Sequence, residues 1–321
     1  SQTNLYTVVV RTPQGSNNNS HRVMAASSYL KTTDGMDQGM LQFSVRRETL
    51  KNNSQVNGKF VGAYASRNSV TNLATGTING LGVNAGMYGA KRLPNELFVD
   101  YYLGVAAGRH LFDLEFDRSV GSVLATGNYS YTAMFAGTAL SGTMSSGDTP
   151  RAGIDLTYSL GSDVDLKFAQ GGIAGTSDLS LGSVSGVRAF GEYGFKDLIP
   201  SEDSTLSFTP RAFCNQRIES DDISCGIGAT LDFTTTEDSD GVSSGLKFNI
   251  ERTSVHSYMS IEASQSINLG SLKLSGLAKV SENGFVSIGA DYRTKLGSMQ
   301  LNGSATASEN GEVSVIQEFN F

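Results

Sequence analysis

Polar and apolar residues alternate along nearly the whole chain, in runs of roughly ten residues separated by Gly-, Asn-, Ser- and Asp-rich turns. A period of two admits strands and excludes amphipathic helices. In "LFVDYYLGVAAG", Val99, Tyr101, Leu103 and Val105 share one face, and Asp100, Tyr102, Gly104 and Ala106 take the other. "RAGIDLTYSL" sets Ile154, Leu156, Tyr158 and Leu160 against Asp155, Thr157 and Ser159. "GFVSIGADYR" sets Val286, Ile288, Ala290 and Tyr292 against Ser287, Gly289, Asp291 and Arg293.

Which face is buried follows from bulk. A soluble sandwich fills a tight core from its apolar face, whereas here both faces are light. The second face carries Gly, Ser, Thr and isolated charges among the 37 glycines of the chain. Such a face suits a wet lumen, and its apolar counterpart suits lipid. No stretch approaches the ~18 apolar residues of a membrane helix. In hydrocarbon each unpaired backbone N–H or C=O costs several kcal/mol, so strands survive there only in a sheet without edges. The expected fold is therefore all-β: a single closed antiparallel transmembrane β-barrel over residues 21–321, preceded by an extended segment, 1–20, that enters the pore. Sixteen strands are counted, among them 151–170 and 183–195, with 12 or 14 as the alternatives if short hairpins merge. Links such as 66–80 and 117–124 read as long loops on one side, against short turns such as 92–96 on the other.

The net charge of −7, with no Lys/Arg cluster, argues against a nucleic-acid partner. The two cysteines, Cys214 and Cys225, bracket a polar stretch that reads as a hairpin tip, which places them opposite each other within disulfide reach. Two unpaired thiols are the other reading. No catalytic, cofactor or metal site is expected. "GSVSG" at 182–186 matches a nucleophile elbow but opens a strand with no helix after it. His21, His110 and His256 have no partner at ligand spacing, and the acidic stretches 32–39 and 234–241 read as hydrated turns.

By alternation Lys59, Asp100, Asp155, Arg188, Arg211, Asp232, Lys247, Glu262, Lys273, Asp291, Arg293 and Glu318 point into the lumen. There they either pair across strands and brace the wall or line a constriction. The chain ends on an amphipathic strand, "GEVSVIQEFNF", whose Phe319 and Phe321 fit a membrane interface.

That aromatic final strand resembles the signal read by the barrel-assembly machinery of bacterial outer membranes. The stretch "GMLQFSVRRETLKNNSQVNGKFVGAYASRNSV", with "GLGVNAGMYGAKRLPNELFVDYYLGVAAGRHLFDLEF" after it, resembles the autotransporter translocator family. "SFTPRAFCNQRIESDDISCGIGATLDF" is similar to a cysteine-bracketed hairpin of some members. The resemblance spans about residues 36–267 and implies a barrel, embedded among outer-membrane lipid and lipopolysaccharide, that anchors and exports an upstream passenger. Two departures stand against it. Family barrels have twelve strands, and about fifty residues of further alternation follow the matching region here. Members also thread a helix through the pore, whereas "LYTVVV" (5–10) reads as extended. The competing expectation is a porin-like diffusion channel for small solutes.

Overall fold

The computed structural model describes residues 19–31, 36–51, 54–72, 74–94, 97–117, 121–199, 201–220, 222–254, 257–282, 286–297, 299–309 and 311–320. Segment 1–18, His256 and Phe321 lie outside them, as does the side chain of His21.

The described chain is almost entirely strand. In order these are β1 (Asn19–Lys31), β2 (Met36–Lys51), β3 (Gln55–Val70), β4 (Thr75–Arg92), β5 (Leu97–Phe116), β6 (Val123–Gly142), β7 (Thr149–Ser159), β8 (Ser162–Gln170) and β9 (Ile173–Leu181). There follow β10 (Val184–Gly194), β11 (Ser204–Arg217), β12 (Asp222–Thr235), β13 (Val242–Thr253), β14 (Ser257–Leu269), β15 (Leu272–Ser281), β16 (Val286–Leu296), β17 (Met299–Ser308) and β18 (Val313–Asn320). One 3₁₀ turn, Ile218–Ser220, joins β11 to β12.

Every pairing is antiparallel. From β1 the pairs run through β2, β3, β4, β5, β6 and β7, pass from β7 to β10, and continue in sequence order to β18. β18 then pairs with β1 from Met24↔Asn320 to Lys31↔Val313. The path of hydrogen bonds thus returns to its start after sixteen strands. Both ends of the described chain lie at one end of this ring.

Eighteen strands are delimited where the sequence expects sixteen. The excess comes from one long hairpin that is interrupted on both arms. β7 and β8 run consecutively against β6, but Ala133↔Ser159 below and Tyr129↔Val164 above leave three residues of β6 facing four of the partner. One extra residue around Leu160–Gly161 makes a β-bulge. The opposite arm breaks between β9 and β10 at the same height, because both keep one register with their partners, Leu181↔Ser162 and Val184↔Ser159. The segment expected as one strand over 151–170 is thus two. The expected division into long loops and short turns fails too: most of 66–80 is strand, belonging to β3 and β4.

Strand length varies around the ring. β5 and β6 have 20 residues each, whereas β17 has 10 and β18 has 8. At ~3.3 Å per residue and a tilt near 40°, 20 residues climb ~50 Å, about twice the ~25 Å apolar band of such a sheet. The β3–β6 sector therefore overtops the rest.

The outer face is greasy. Leu41 and Leu81 (both 63% exposed), Val83, Leu103, Ile227, Leu246 and Ile288 all stand in the open. Toward the far ends of β5 and β6 this face becomes polar, with Arg109 donating to Asn128 Oδ1 at 2.8 Å. The inner face of β3–β6 holds a small packed layer. Phe60 stacks on Phe135 with centroids 6.4 Å apart and leans on Tyr88 at 6.3 Å. Each ring lies over a glycine of the adjacent strand: Phe60 over Gly86, Tyr88 over Gly58, Phe135 over Gly104. A side chain at those glycines would occupy the ring's place.

Candidate functional site: the inner wall

Residues directly opposed on antiparallel strands project to the same side of a sheet. Reading the inner face along its hydrogen-bond rows shows how the charges are arranged. One row crosses four strands with alternating sign: Asp232↔Lys247, Lys247↔Glu262 and Glu262↔Lys279. Within it Lys247 Nζ sits 3.5 Å from Asp232 Oδ2. A second row runs Arg151↔Glu192↔Arg211, with Arg151 Nη1 3.5 Å from Glu192 Oε1.

Glycines let this second row skip a strand. Arg211 faces Gly228, and Gly228 faces Glu251. The guanidinium lies across the glycine, with Nη2 3.2 Å from Glu251 Oε2 and Nη1 donating to Thr230 Oγ1 at 2.8 Å. The same device recurs in three more rows. Tyr102 reaches over Gly137 to donate to Asp155 Oδ1 at 2.6 Å. Tyr88 reaches over Gly58 to Glu48 Oε1 at 2.5 Å. Tyr64 and Tyr131 each face one of two adjacent glycines, Gly82 and Gly108, and their hydroxyls meet above them. A long side chain, a glycine and a partner two strands away form a brace that ordinary neighbouring pairs cannot make.

The bridged pairs differ in setting. Glu48 and Tyr88 are buried, at 2% and 1% exposure. Lys247 and Asp232 instead leave 40% and 35% of their side chains in contact with solvent. The wall is thus packed along β2–β6 and wet along β12–β15.

Placement of the sequence-predicted residues follows. Asp100 and Asp155 share the inner side with Tyr102, and Asp155 directly faces Arg188. Arg188 lies over the Phe190 and Phe213 rings at 5.9 and 5.6 Å. Arg211, Asp232, Lys247 and Glu262 occupy the two charge rows. Lys273 faces Arg293, Asp291 sits two residues before Arg293 on β16, and Asn302 joins Arg293 to Glu318. Asn302 also donates to Glu318 Oε2 at 3.4 Å. Sequence reasoning omitted Arg151, Glu251, Lys279 and Glu48 from the inward set; extending the alternation one strand further along each row finds them.

Lys59 is a correction. It faces Arg47 and Met87 and shares its side of β3 with the exposed Val61, so it points outward. The inward set of β3 is Val56, Gly58, Phe60, Gly62 and Tyr64, of which Val56 and Tyr64 are buried. Here the apolar rings are inside, because glycines on β4 make room for them. Lys59 lies near the rim that holds the described chain ends, five residues into β3.

Cys214 and Cys225 are directly opposed and joined by a disulfide, with S–S 2.04 Å. Phe319 lies on the outer face, opposite Ala25 and Leu301. The 182–186 motif leads into β10, with no helix behind it. No group of three His, Cys, Asp or Glu residues with metal-binding geometry occurs among the described residues.

No protein-family model matches the sequence, and no curated protein matches it either. Solved structures do. The copper transporter OprC matches with a TM-score of 0.56 and 8% identity, over 94% of this chain and 62% of its own. The toluene transporter TbuX of Ralstonia pickettii matches with a TM-score of 0.52 and 8% identity, over 95% of this chain and 90% of its own. The β domain of the Bordetella autotransporter BrkA, a member of the family the sequence resembles, matches over 95% of this chain and 99% of its own, with a TM-score of 0.43 and 10% identity.

Proposed function

We propose that the chain is an outer-membrane β-barrel, closed through the β1–β18 pairing, whose water-filled lumen passes small polar solutes. The observation that carries this reading is the two-sided ring of sixteen strands. Exposed aliphatic side chains stand outside it, and paired charges keep contact with solvent inside it. Rings of this size leave an aqueous channel that smaller barrels fill with side chains.

The lumen's chemistry follows from its rows. Alternating carboxylates and ammonium or guanidinium groups cancel at short range, so the wall excludes neither sign of solute outright. A solute sliding along it exchanges water for carboxylate and cation partners at each row, while apolar solutes meet only desolvation cost. The partners on this reading are outer-membrane lipid, lipopolysaccharide and the assembly machinery that reads the aromatic last strand.

Export of an upstream passenger is the second reading. It is favoured by the resemblance over residues 36–267. Planar-bilayer recordings on the full chain and on a chain lacking 1–18 separate the two. A steady conductance in both supports the channel. A silent full chain with a conducting truncated chain supports the translocator. Silence in both refutes an aqueous lumen.

A further inference from the structure

The brace between Tyr102 and Asp155 leaves a cation without its carboxylate. Asp155 directly faces Arg188 across the β7–β10 ladder. Its carboxylate leans the other way, over Gly137, where a Cβ would lie 2.6 Å from Oδ1, and accepts the Tyr102 hydroxyl at 2.6 Å. On its other side Arg188 faces Asn215, which is neutral. Arg188 is exposed on the inner face, and among the described residues it makes no ion pair. A guanidinium carries five N–H donors in a planar fork and stays charged at any ordinary pH.

Aromatic rings position that fork. Phe190 and Phe213 are opposed on β10 and β11, and each lies over a glycine of its outer neighbour, Gly153 and Gly226. The Arg188 guanidinium is nearly equidistant from the two rings, at 5.9 and 5.6 Å from their centroids. Stacking engages the face of a guanidinium and leaves its N–H edge available. Arg151 lies over the same Phe190 ring at 5.0 Å. Arg151, Arg188 and Arg211 together border one cavity of about 170 Å³, with Asp155 and Glu192 also in its wall. A water takes up ~30 Å³ of the liquid, so this space admits a group of several heavy atoms. Arg151 holds Glu192 by a single contact at 3.5 Å, and Arg211 turns to Glu251, which lies outside the cavity wall.

We propose that this cavity is a binding site for an anionic solute, whose carboxylate or phosphate group meets the free edge of Arg188 with Arg151 and Arg211 as flanking donors. Two oxygens of either group match the fork of a guanidinium, which is why such pairs are bidentate and short. The contrast lies in the row Asp232–Lys247–Glu262–Lys279, where each lysine directly faces a carboxylate and no cation is left over. Anions are thus retained at one place in a wall whose other rows cancel. This rests on the water-filled lumen proposed above, since a solute reaches Arg188 only through it.

The test titrates succinate and inorganic phosphate calorimetrically into the full chain, refolded in non-ionic detergent and checked for heat-modifiable mobility. Saturable binding of at least one of them, at one site per chain, is expected, and the tighter of the two identifies the group that the site takes. Arg188→Gln should weaken this binding at least ~tenfold, the scale of one charge-assisted hydrogen bond. Arg188→Lys keeps the charge but loses the fork and the stacking, and should weaken it by less. Lys247→Gln removes the same charge from a position paired with Asp232 and should leave the affinity unchanged. No saturable binding of either anion overturns the proposal, as does an affinity that Arg188→Gln leaves intact. Equal losses in Arg188→Gln and Lys247→Gln overturn it too, because they would report the general field of the lumen and not a site. Conductance in planar bilayers is read separately. Binding without conductance sinks the channel alone, and conductance without binding sinks the site alone.

Discussion

Replacing Tyr88 by Phe removes one hydroxyl and nothing else. That hydroxyl donates to Glu48 Oε1 at 2.5 Å across Gly58. Both residues are nearly sealed from solvent, at 1% and 2% exposure. A hydrogen bond to a carboxylate contributes about 1.5–3 kcal/mol, more than one made in water. We therefore expect Tyr88→Phe to destabilise the fold by about 2 kcal/mol. At a urea slope of ~2 kcal/mol/M that moves the unfolding midpoint down by ~1 M. The comparison variant is Tyr101→Phe, whose hydroxyl makes a bond of similar length, 2.7 Å to Asn57 Oδ1, in an exposed setting. Its expected cost is smaller, below ~0.5 kcal/mol, because the hydroxyl lies on the exposed outer face near the start of β5, where water and lipid headgroups can take the place of Asn57. Equilibrium unfolding from lipid vesicles, followed by the heat-modifiable gel shift, measures both. Equal costs for the two variants would refute the claim that burial across a glycine is what gives these braces their strength.

Gly228→Val puts a branched side chain where Arg211 crosses, since even a Cβ there would lie 2.9 Å from Arg211 Nε and 2.7 Å from the Ile250 carbonyl oxygen. The variant should lose the Arg211–Glu251 pair and cost about 1–3 kcal/mol by overpacking, against a smaller loss for Glu251→Gln, read by the same unfolding assay. Cys214 and Cys225 are 11 residues apart in sequence. Closing so short a loop restrains the unfolded chain by at most ~3 kcal/mol, so Cys214→Ser/Cys225→Ser should lower stability by no more than that under oxidising conditions and by nothing once reductant is present. Asp148, in the link after β6, accepts from the Ser146 hydroxyl at 2.8 Å, from the Lys196 backbone N–H at 3.1 Å and from Tyr193 at 3.2 Å. These bonds hold its carboxyl below the usual carboxylate range, the serine contributing most. The folded value is depressed, so the contribution is present above the ordinary aspartate pKa and lost as pH falls through the folded value; the Lys196 amide should lose protection from exchange only in that acid range. Protection unchanged down to pH 2 would contradict it.

The alternation of Val99 to Ala106 and of Val286 to Arg293 was enough to assign strands and faces, because a strand's side-chain period is fixed by the backbone. It also put Asp155, Arg188, Asp232 and Lys247 on the inward side, while the facing pairs Asp155↔Arg188 and Asp232↔Lys247 came from the register. It erred at Lys59, since a rule of apolar outside and polar inside ignores the aromatic layer that glycines on the next strand admit. It could not find the partners of Tyr102, Tyr88 or Tyr64, because these lie two or three strands away and the glycine that permits each contact carries no side chain to signal it.

Taken alone, the sequence determined the class of structure: a period of two, light faces and no apolar helix leave only sheets whose edges must be paired. It brought Cys214 and Cys225 within reach of each other as one of two readings, and the register Cys214↔Cys225 that joins them came from the structure. Tertiary structure alone decided which way the upper half of 151–170 faces. A bulge adds one residue to a strand without disturbing its alternation, so the same unbroken pattern of apolar even positions looks to lipid below Leu160 and to the lumen's mouth above Gly161.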